Sequence, residues 1–236
     1  MDYQSFGFVD TASRTPLCDD AIFRMYSNTK IVTSVSLMML YEEVLFDLDD
    51  PLAKFSPEFV DPRVLIANAT TATDTKPAEH LISIRQLLNQ NAGLSYCFVE
   101  PDSVVKKAYN SGAIDALSEA SIDPAEFCQR MAKPPLAFEP GSSWRYSVAT
   151  DVCARLVEVL AGQALDDFLR QRIFVPLGMV DIDFWVPEDE ANRFVTMYAP
   201  EDMSAPMQGG LIKIDDLFTG SYSKPPVLEA GGSGLL

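Results

Sequence analysis

The sequence predicts an α+β domain in which helix dominates, and three observations carry that expectation. Apolar residues recur at helical spacing over about 27–45, 148–161 and 165–174. Strand candidates are short: the end of a strand at 3–9, then 194–198 and 210–214. Of the 236 residues, 47% are hydrophobic and 22% charged, enough to build a sizeable core. That composition excludes a disordered chain, a collagen and a small disulfide scaffold.

Each element has its own local reason. Residues 3–9 read as the end of a strand, with Gly7 and Asp10 near its exit. In 27–45 the stripe is Ile31, Val32, Val35, Met38, Met39 and Leu45, and Ser27 stands where an N-cap or first-turn residue belongs. Asp47-Leu48-Asp49-Asp50-Pro51 ends that helix. Leu52 occupies the place where an EF-hand needs its turn glycine, so a solvated turn is the better reading than a calcium loop. Residues 61–80 hold few large apolar side chains and read as an exposed, variable loop. A short helix at 82–89 is closed by Asn91-Ala92-Gly93. Helical pieces follow in 101–133, broken at Gly112 and Pro124, and Pro134-Pro135 and Pro140-Gly141 bracket a loop. The helix at 148–161 is expected to bury Val152, Leu156, Val159 and Leu160 and to stop at Gly162; the helix at 165–174 leads into the turn Pro176-Leu177-Gly178-Met179. With no repeat and no linker, the chain reads as one domain over 1–236, with 61–145 as a variable helical and loop region.

Charge and rare residues remove whole classes of function. With 18 basic against 34 acidic residues the net charge is −16, the wrong sign for nucleic-acid phosphates or an anionic membrane surface. No uncharged apolar run reaches about 18 residues, so no membrane span is expected, and the start Met1-Asp2-Tyr3-Gln4 lacks a basic n-region. A cytoplasmic location is the default expectation. Cys18, Cys97, Cys128 and Cys153 form no C-x-x-C pair and read as small buried hydrophobes. His80 is the single histidine, so no His-rich metal site can be built and any Ser-His-Asp triad would need it. No G-x-S-x-G elbow accompanies it, because Leu235 follows Gly231-Gly232-Ser233-Gly234 where the last glycine should be.

Two local patterns can carry nucleophilic chemistry. Ser-x-x-Lys on a helix puts an ammonium beside a hydroxyl, because residues three apart share a face. It occurs at Ser27/Lys30, Ser103/Lys106 and Ser221/Lys224. Ser221 lies among Gly220, Lys224 and Pro225-Pro226, a poor helix start, and Ser103 follows Pro101-Asp102 as an exposed first-turn serine would. Only Ser27 opens a long apolar-striped helix, whose N-terminus directs N–H groups and partial positive charge at the nucleophile. The second pattern is Trp144-Arg145-Tyr146-Ser147. A tyrosine can act as a general base beside a cation; its competing reading is an aromatic pair packed under the Pro140-Gly141 turn.

Phe23-Arg24-Met25-Tyr26-Ser27-Asn28-Thr29-Lys30 resembles the active-site segment of the serine β-lactamase-related superfamily. Leu48-Asp49-Asp50-Pro51-Leu52, Ile84-Arg85-Gln86-Leu87-Leu88 with Gly93-Leu94, Pro140-Gly141, Trp144-x-Tyr146-Ser147 and Phe174-x-Pro176-Leu177-Gly178-Met179 resemble its later landmarks in order. Tyr146-Ser147-Val148 departs from the Tyr-x-Asn of typical β-lactamases and peptidases and is closer to the family VIII carboxylesterases and related acyltransferases. Asn89-Gln90-Asn91-Ala92-Gly93 replaces the usual Thr-His-Thr-Ser-Gly.

The resemblance implies a β-lactamase/transpeptidase-like fold and a serine hydrolase of the carboxylesterase type acting on small acyl esters. It makes Ser27 the acylated nucleophile, Lys30 the cation that assists proton removal and Tyr146 the general base, with no metal or organic cofactor. A β-lactam-cleaving enzyme or D-alanyl-D-alanine peptidase is the runner-up, and an inactive helix-rich binding protein the alternative from another class. Members carry further sheet strands at both ends, and one of them supplies the second oxyanion donor; no Lys-Thr-Gly occurs here. This span is therefore expected to have little sheet, weak catalysis and exposed sheet edges through which copies could associate.

Overall fold

The computed structural model describes residues 4–100, 102–111, 122–214 and 222–236, and within them the chain has the α+β fold expected from its sequence. Two helices form the centre. Helix α1 (Thr29–Glu42) packs against α5 (Ala149–Ala161). Leu37 and Leu40 of α1 meet a core that includes Val152, Leu156 and Val157 of α5, because these positions recur with the helical period and share one face.

The other helices close around this pair. Helix α2 (Ile84–Leu88) starts with a capping box, in which the Ser83 hydroxyl accepts from the Gln86 N–H while the Gln86 side chain accepts from the Ser83 N–H. Helix α3 spans Val104–Ser111. Helix α4 (Pro124–Met131) begins at Pro124, with the Asp123 carboxylate capping the Glu126 N–H. Proline suits a first helical turn, where its missing N–H has no partner to lose. Helix α6 (Leu165–Leu169) runs through a π turn (Arg170–Phe174) into α7 (Val175–Leu177). Gly162 and Gly178 end α5 and α7 in the left-handed conformation, at φ 68° and 67°.

Among the described residues, strands form three separate two-stranded antiparallel ladders: β1 (Phe8–Asp10) with β2 (Thr15–Pro16), β3 (Arg63–Leu65) with β4 (Thr75–Pro77), and β5 (Tyr198–Pro200) with β6 (Leu211–Lys213). Several expectations need correction here. Residues 61–80 hold a hairpin rather than only a loop: Val64 pairs with Lys76 and is buried, one apolar side chain being enough to seat a short strand. The first strand is shorter than the 3–9 candidate, starting at Phe8, but it ends at Asp10 as expected, where the carboxylate accepts from the Ala12 and Ser13 N–H groups and turns the chain back. The 194–198 candidate starts at Tyr198 instead.

Two burial expectations and one cap also shift. In α1, Ile31 and Val35 are 66% and 47% exposed, since the helix is apolar on two faces and α5 covers only one. Val159 is exposed and Leu160 half-buried near the end of α5. After α2 the left-handed residue is Gln90, at φ 57°, rather than a Gly93 cap. Gly93 has φ 86°, and a Cβ there would stand 2.5 Å from the Phe138 carbonyl oxygen. Gly112 lies outside the described residues. No helix among those residues is long and apolar enough to cross a membrane.

Candidate active site

Ser27 sits in a 3-10 turn (Tyr26–Asn28) that feeds directly into α1. Tyr26 has φ 43°, a conformation that side chains other than glycine rarely adopt and that persists only where the surroundings impose it. Those surroundings are visible. Met25 N–H donates to the Leu235 carbonyl at 2.9 Å, and Leu235 N–H donates to Thr29 Oγ1 at 3.1 Å. The Arg24 guanidinium lies 3.9 Å from the Phe194 ring centroid and donates to the Val195 carbonyl at 2.6 Å. Both ends of the turn are thus tied to segments about 170 to 210 residues away in sequence.

Tyr146 comes from the loop before α5. Gln90 holds that loop: its side-chain oxygen accepts from Ser147 N–H at 2.9 Å and Ser147 Oγ–H at 2.8 Å, and its amide donates to Thr150 Oγ1 at 3.0 Å. Arg145 is fixed beside it, donating to Ser95 Oγ and pairing with Glu100. The result brings the Ser27 and Tyr146 hydroxyl oxygens within 2.5 Å of each other.

Lys30 is the second residue of α1, one turn after Ser27. Its Nζ is 4.8 Å from the Tyr146 ring centroid, donates to Tyr96 Oη at 3.1 Å and donates to the Gly232 carbonyl at 2.7 Å. Tyr96 packs on Tyr146 and stacks on Phe98, with centroids 5.5 and 4.7 Å apart. Behind Tyr96 is Asp151, 9% exposed, whose carboxylate accepts from Gly232 N–H at 2.8 Å and from the Tyr96 hydroxyl at 3.3 Å. Burial pushes the Asp151 carboxyl up, against the pull of the Lys30 charge. Burial also drives the Tyr96 phenol well above its usual range, so Tyr96 is a neutral hydroxyl.

The structure therefore groups Ser27, Lys30 and Tyr146, and adds Tyr96, Asp151, Gln90 and Gly232, which the sequence reading did not single out. A signal existed for Asp151, a carboxylate set between buried Ala149, Thr150, Val152 and Cys153 in an otherwise apolar stripe. Gly231-Gly232 carried a weaker one. Tyr146 packs on Tyr96 and not as a pair with Trp144, which is 66% exposed.

The competing serines behave differently. Ser103 Oγ accepts from the Lys106 N–H, the first-turn role expected of it, and Ser221 lies outside the described residues. His80 is exposed, and the neighbouring Glu139 carboxyl is held down chiefly by its hydrogen bond from Lys76. The acids of 47–50 are engaged by Arg85, Lys54 and backbone N–H groups. Among the described residues no group of three or more His, Cys, Asp or Glu could hold a metal ion. Cys128 and Cys153 are buried, whereas Cys18 and Cys97 are only half-buried, and a hydrogen bond to Asp20 raises the Cys18 thiol.

The family model described as Beta-lactamase matches residues 3–218. Esterase EstB of Burkholderia gladioli is 32% identical over 192 residues, which is 81% of this chain and 45% of that protein. Lovastatin esterase of Penicillium rubens is 30% identical over 191 residues, 79% of this chain and 45% of that protein. The solved structure of unliganded simvastatin synthase (LovD) from Aspergillus terreus superposes with a TM-score of 0.74 at 25% identity, covering 96% of this chain and 53% of that one. The chain spans about half the length of the curated relatives it matches.

Proposed function

The chain belongs to the Beta-lactamase family, and from that premise we propose that it is a serine hydrolase that cleaves small acyl esters through an acyl-serine intermediate. The observation that carries this reading is the 2.5 Å contact between the Ser27 and Tyr146 hydroxyl oxygens beside the Lys30 ammonium. Two relatives named as esterases support the substrate class.

In this reading Tyr146, as phenolate, takes the Ser27 proton while Ser27 Oγ bonds to the ester carbonyl carbon. Lys30 offsets the negative charge on the phenolate, and the Ser27 N–H at the head of α1 faces the developing oxyanion. Collapse breaks the bond to the alkoxy oxygen, which receives the proton back from Tyr146 and leaves as the alcohol. Water then repeats the sequence, with Tyr146 accepting its proton, and releases the carboxylic acid and free Ser27.

The β-lactam or D-alanyl-peptide reading needs a side-chain amide two residues after the tyrosine. Val148 stands there, 1% exposed in the core. The test is consumption of a short-chain aryl ester against a cephalosporin, with Ser27→Ala and Tyr146→Phe as controls. The ester should be consumed, Ser27→Ala should abolish that consumption, and Tyr146→Phe should slow it strongly. Faster cephalosporin opening would overturn the ester assignment, and no covalent capture of either substrate would favour a protein that only binds.

A further inference from the structure

We propose that Asp151 is a positioning residue for the Ser27 site: its buried carboxylate takes the Gly232 N–H and the Tyr96 hydroxyl proton, and so fixes the Gly232 carbonyl and the Tyr96 oxygen on the Lys30 ammonium. The proposal rests on the serine-hydrolase reading for its meaning, and one of its two tests is independent of that reading.

Hydrogen-bond inventory forces the direction of this relay. An ammonium has three donors and no acceptor, and a phenol has one proton. Tyr96 Oη accepts from Lys30, so its own proton must point elsewhere, and the acceptor within reach is Asp151 Oδ2. The other carboxylate oxygen holds Gly232 N–H, and the carbonyl of that same glycine accepts from Lys30. Both of these contacts of the ammonium are therefore set by one carboxylate that does not itself touch it. Burial costs the carboxylate its hydration, and the Lys30 charge, the Gly232 N–H, the Tyr96 hydroxyl and the residue's own backbone N–H compensate. The space is built for this contact: a Cβ on Gly232 would stand 2.5 Å from Asp151 Oδ2. Asp151 comes from α5 and Lys30 from α1, so the relay also fixes the two helices' facing side chains at the site.

Asp151→Asn keeps the shape and breaks the logic. The amide oxygen can still accept from Gly232, but its NH₂ then faces Tyr96 and donates to it. The Tyr96 proton is pushed toward Lys30, and the ammonium loses both an acceptor and its countercharge.

Two measurements decide the matter. The first is single-turnover acylation of Ser27 by an aryl ester, where Asp151→Asn should lower the rate on the order of 10²-fold with little change in substrate affinity, because positioning is lost and binding is not. The second is trace acetylation with acetic anhydride read by mass spectrometry, where Lys30 should react severalfold faster in Asp151→Asn than in the parent, relative to Lys54 in the same chain. Tyr96→Phe, which deletes the bridging hydroxyl and leaves the carboxylate, should raise Lys30 reactivity similarly, and the double variant should add little to either single one. If the parent chain never acylates, the hydrolase reading fails while the acetylation comparison still tests the relay. Unchanged Lys30 reactivity in both variants, or acylation that falls only with the folded fraction, overturns the proposal.

Discussion

Lys30 donates to the Gly232 carbonyl across 2.7 Å, joining residues 202 positions apart and making the segment 230–236 a wall of the candidate site. The same segment is tied down through Thr33 Oγ1, which donates to the Gly231 carbonyl, and through Leu235, which bonds to both Met25 and Thr29. The serine turn and this wall are thus one structural unit.

Gly231 tests that unit by packing alone. A Cβ there would stand 2.3 Å from Ala154 Cβ. Gly231→Ala is expected to destabilise the fold by about 1–3 kcal/mol through overpacking, measured by urea unfolding. Adding Ala154→Gly should recover a substantial part of the loss. An unfolding midpoint equal to the parent's for Gly231→Ala alone would show that the wall does not pack this way.

Stability should fall with rising pH in a window set by Glu229. Burial, with repulsion from Asp166, Glu158 and Asp167, raises its carboxyl to about 7, although the Asp166 N–H opposes the rise. A group whose folded value lies above its unfolded one contributes stability that is present below the unfolded value, 4.5, and lost as pH rises through about 7. Glu229→Gln keeps an acceptor for Asp166 and should flatten the fall in melting temperature between pH 4.5 and 7. A slope in that window as steep as the parent's would assign the effect to other acids.

Legibility in the sequence followed locality. The helices at 29–42, 84–88 and 149–161, and the stop at Gly162, were readable because period, caps and a C-terminal glycine are local signals. The hairpin Arg63–Pro77 was not, since a single buried Val64 leaves no alternation to detect. Exposure of Ile31 and Val35 was equally invisible: periodicity marks an apolar face without saying what covers it. At the site, ordered motifs singled out Ser27, Lys30 and Tyr146. Tyr96 and Asp151 escaped because their meaning comes from hydrogen bonds spanning 66 and 81 residues.

Gln90 is expected to matter although it touches neither Ser27 nor Lys30 in the contacts described above. Gln90→Ala leaves the buried Ser147 N–H and hydroxyl without their shared acceptor. An unsatisfied buried polar group costs about 1–3 kcal/mol, and the Tyr146 loop loses its anchor. Urea unfolding should show the stability loss, and Ser27 acylation measured well below the unfolding midpoint should slow as well. Parent-like acylation would mean that Arg145 and the aromatic packing hold Tyr146 unaided.

The central claim is that Ser27 forms an acyl-enzyme with Tyr146 as its base. Intact-mass spectrometry of the chain after brief exposure to a p-nitrophenyl ester tests it most directly. The account predicts one added acyl group, mapped by peptide analysis to Ser27, absent in Ser27→Ala and strongly slowed in Tyr146→Phe. An adduct that persists in Ser27→Ala, or one that forms at the parent rate without the Tyr146 hydroxyl, would contradict it.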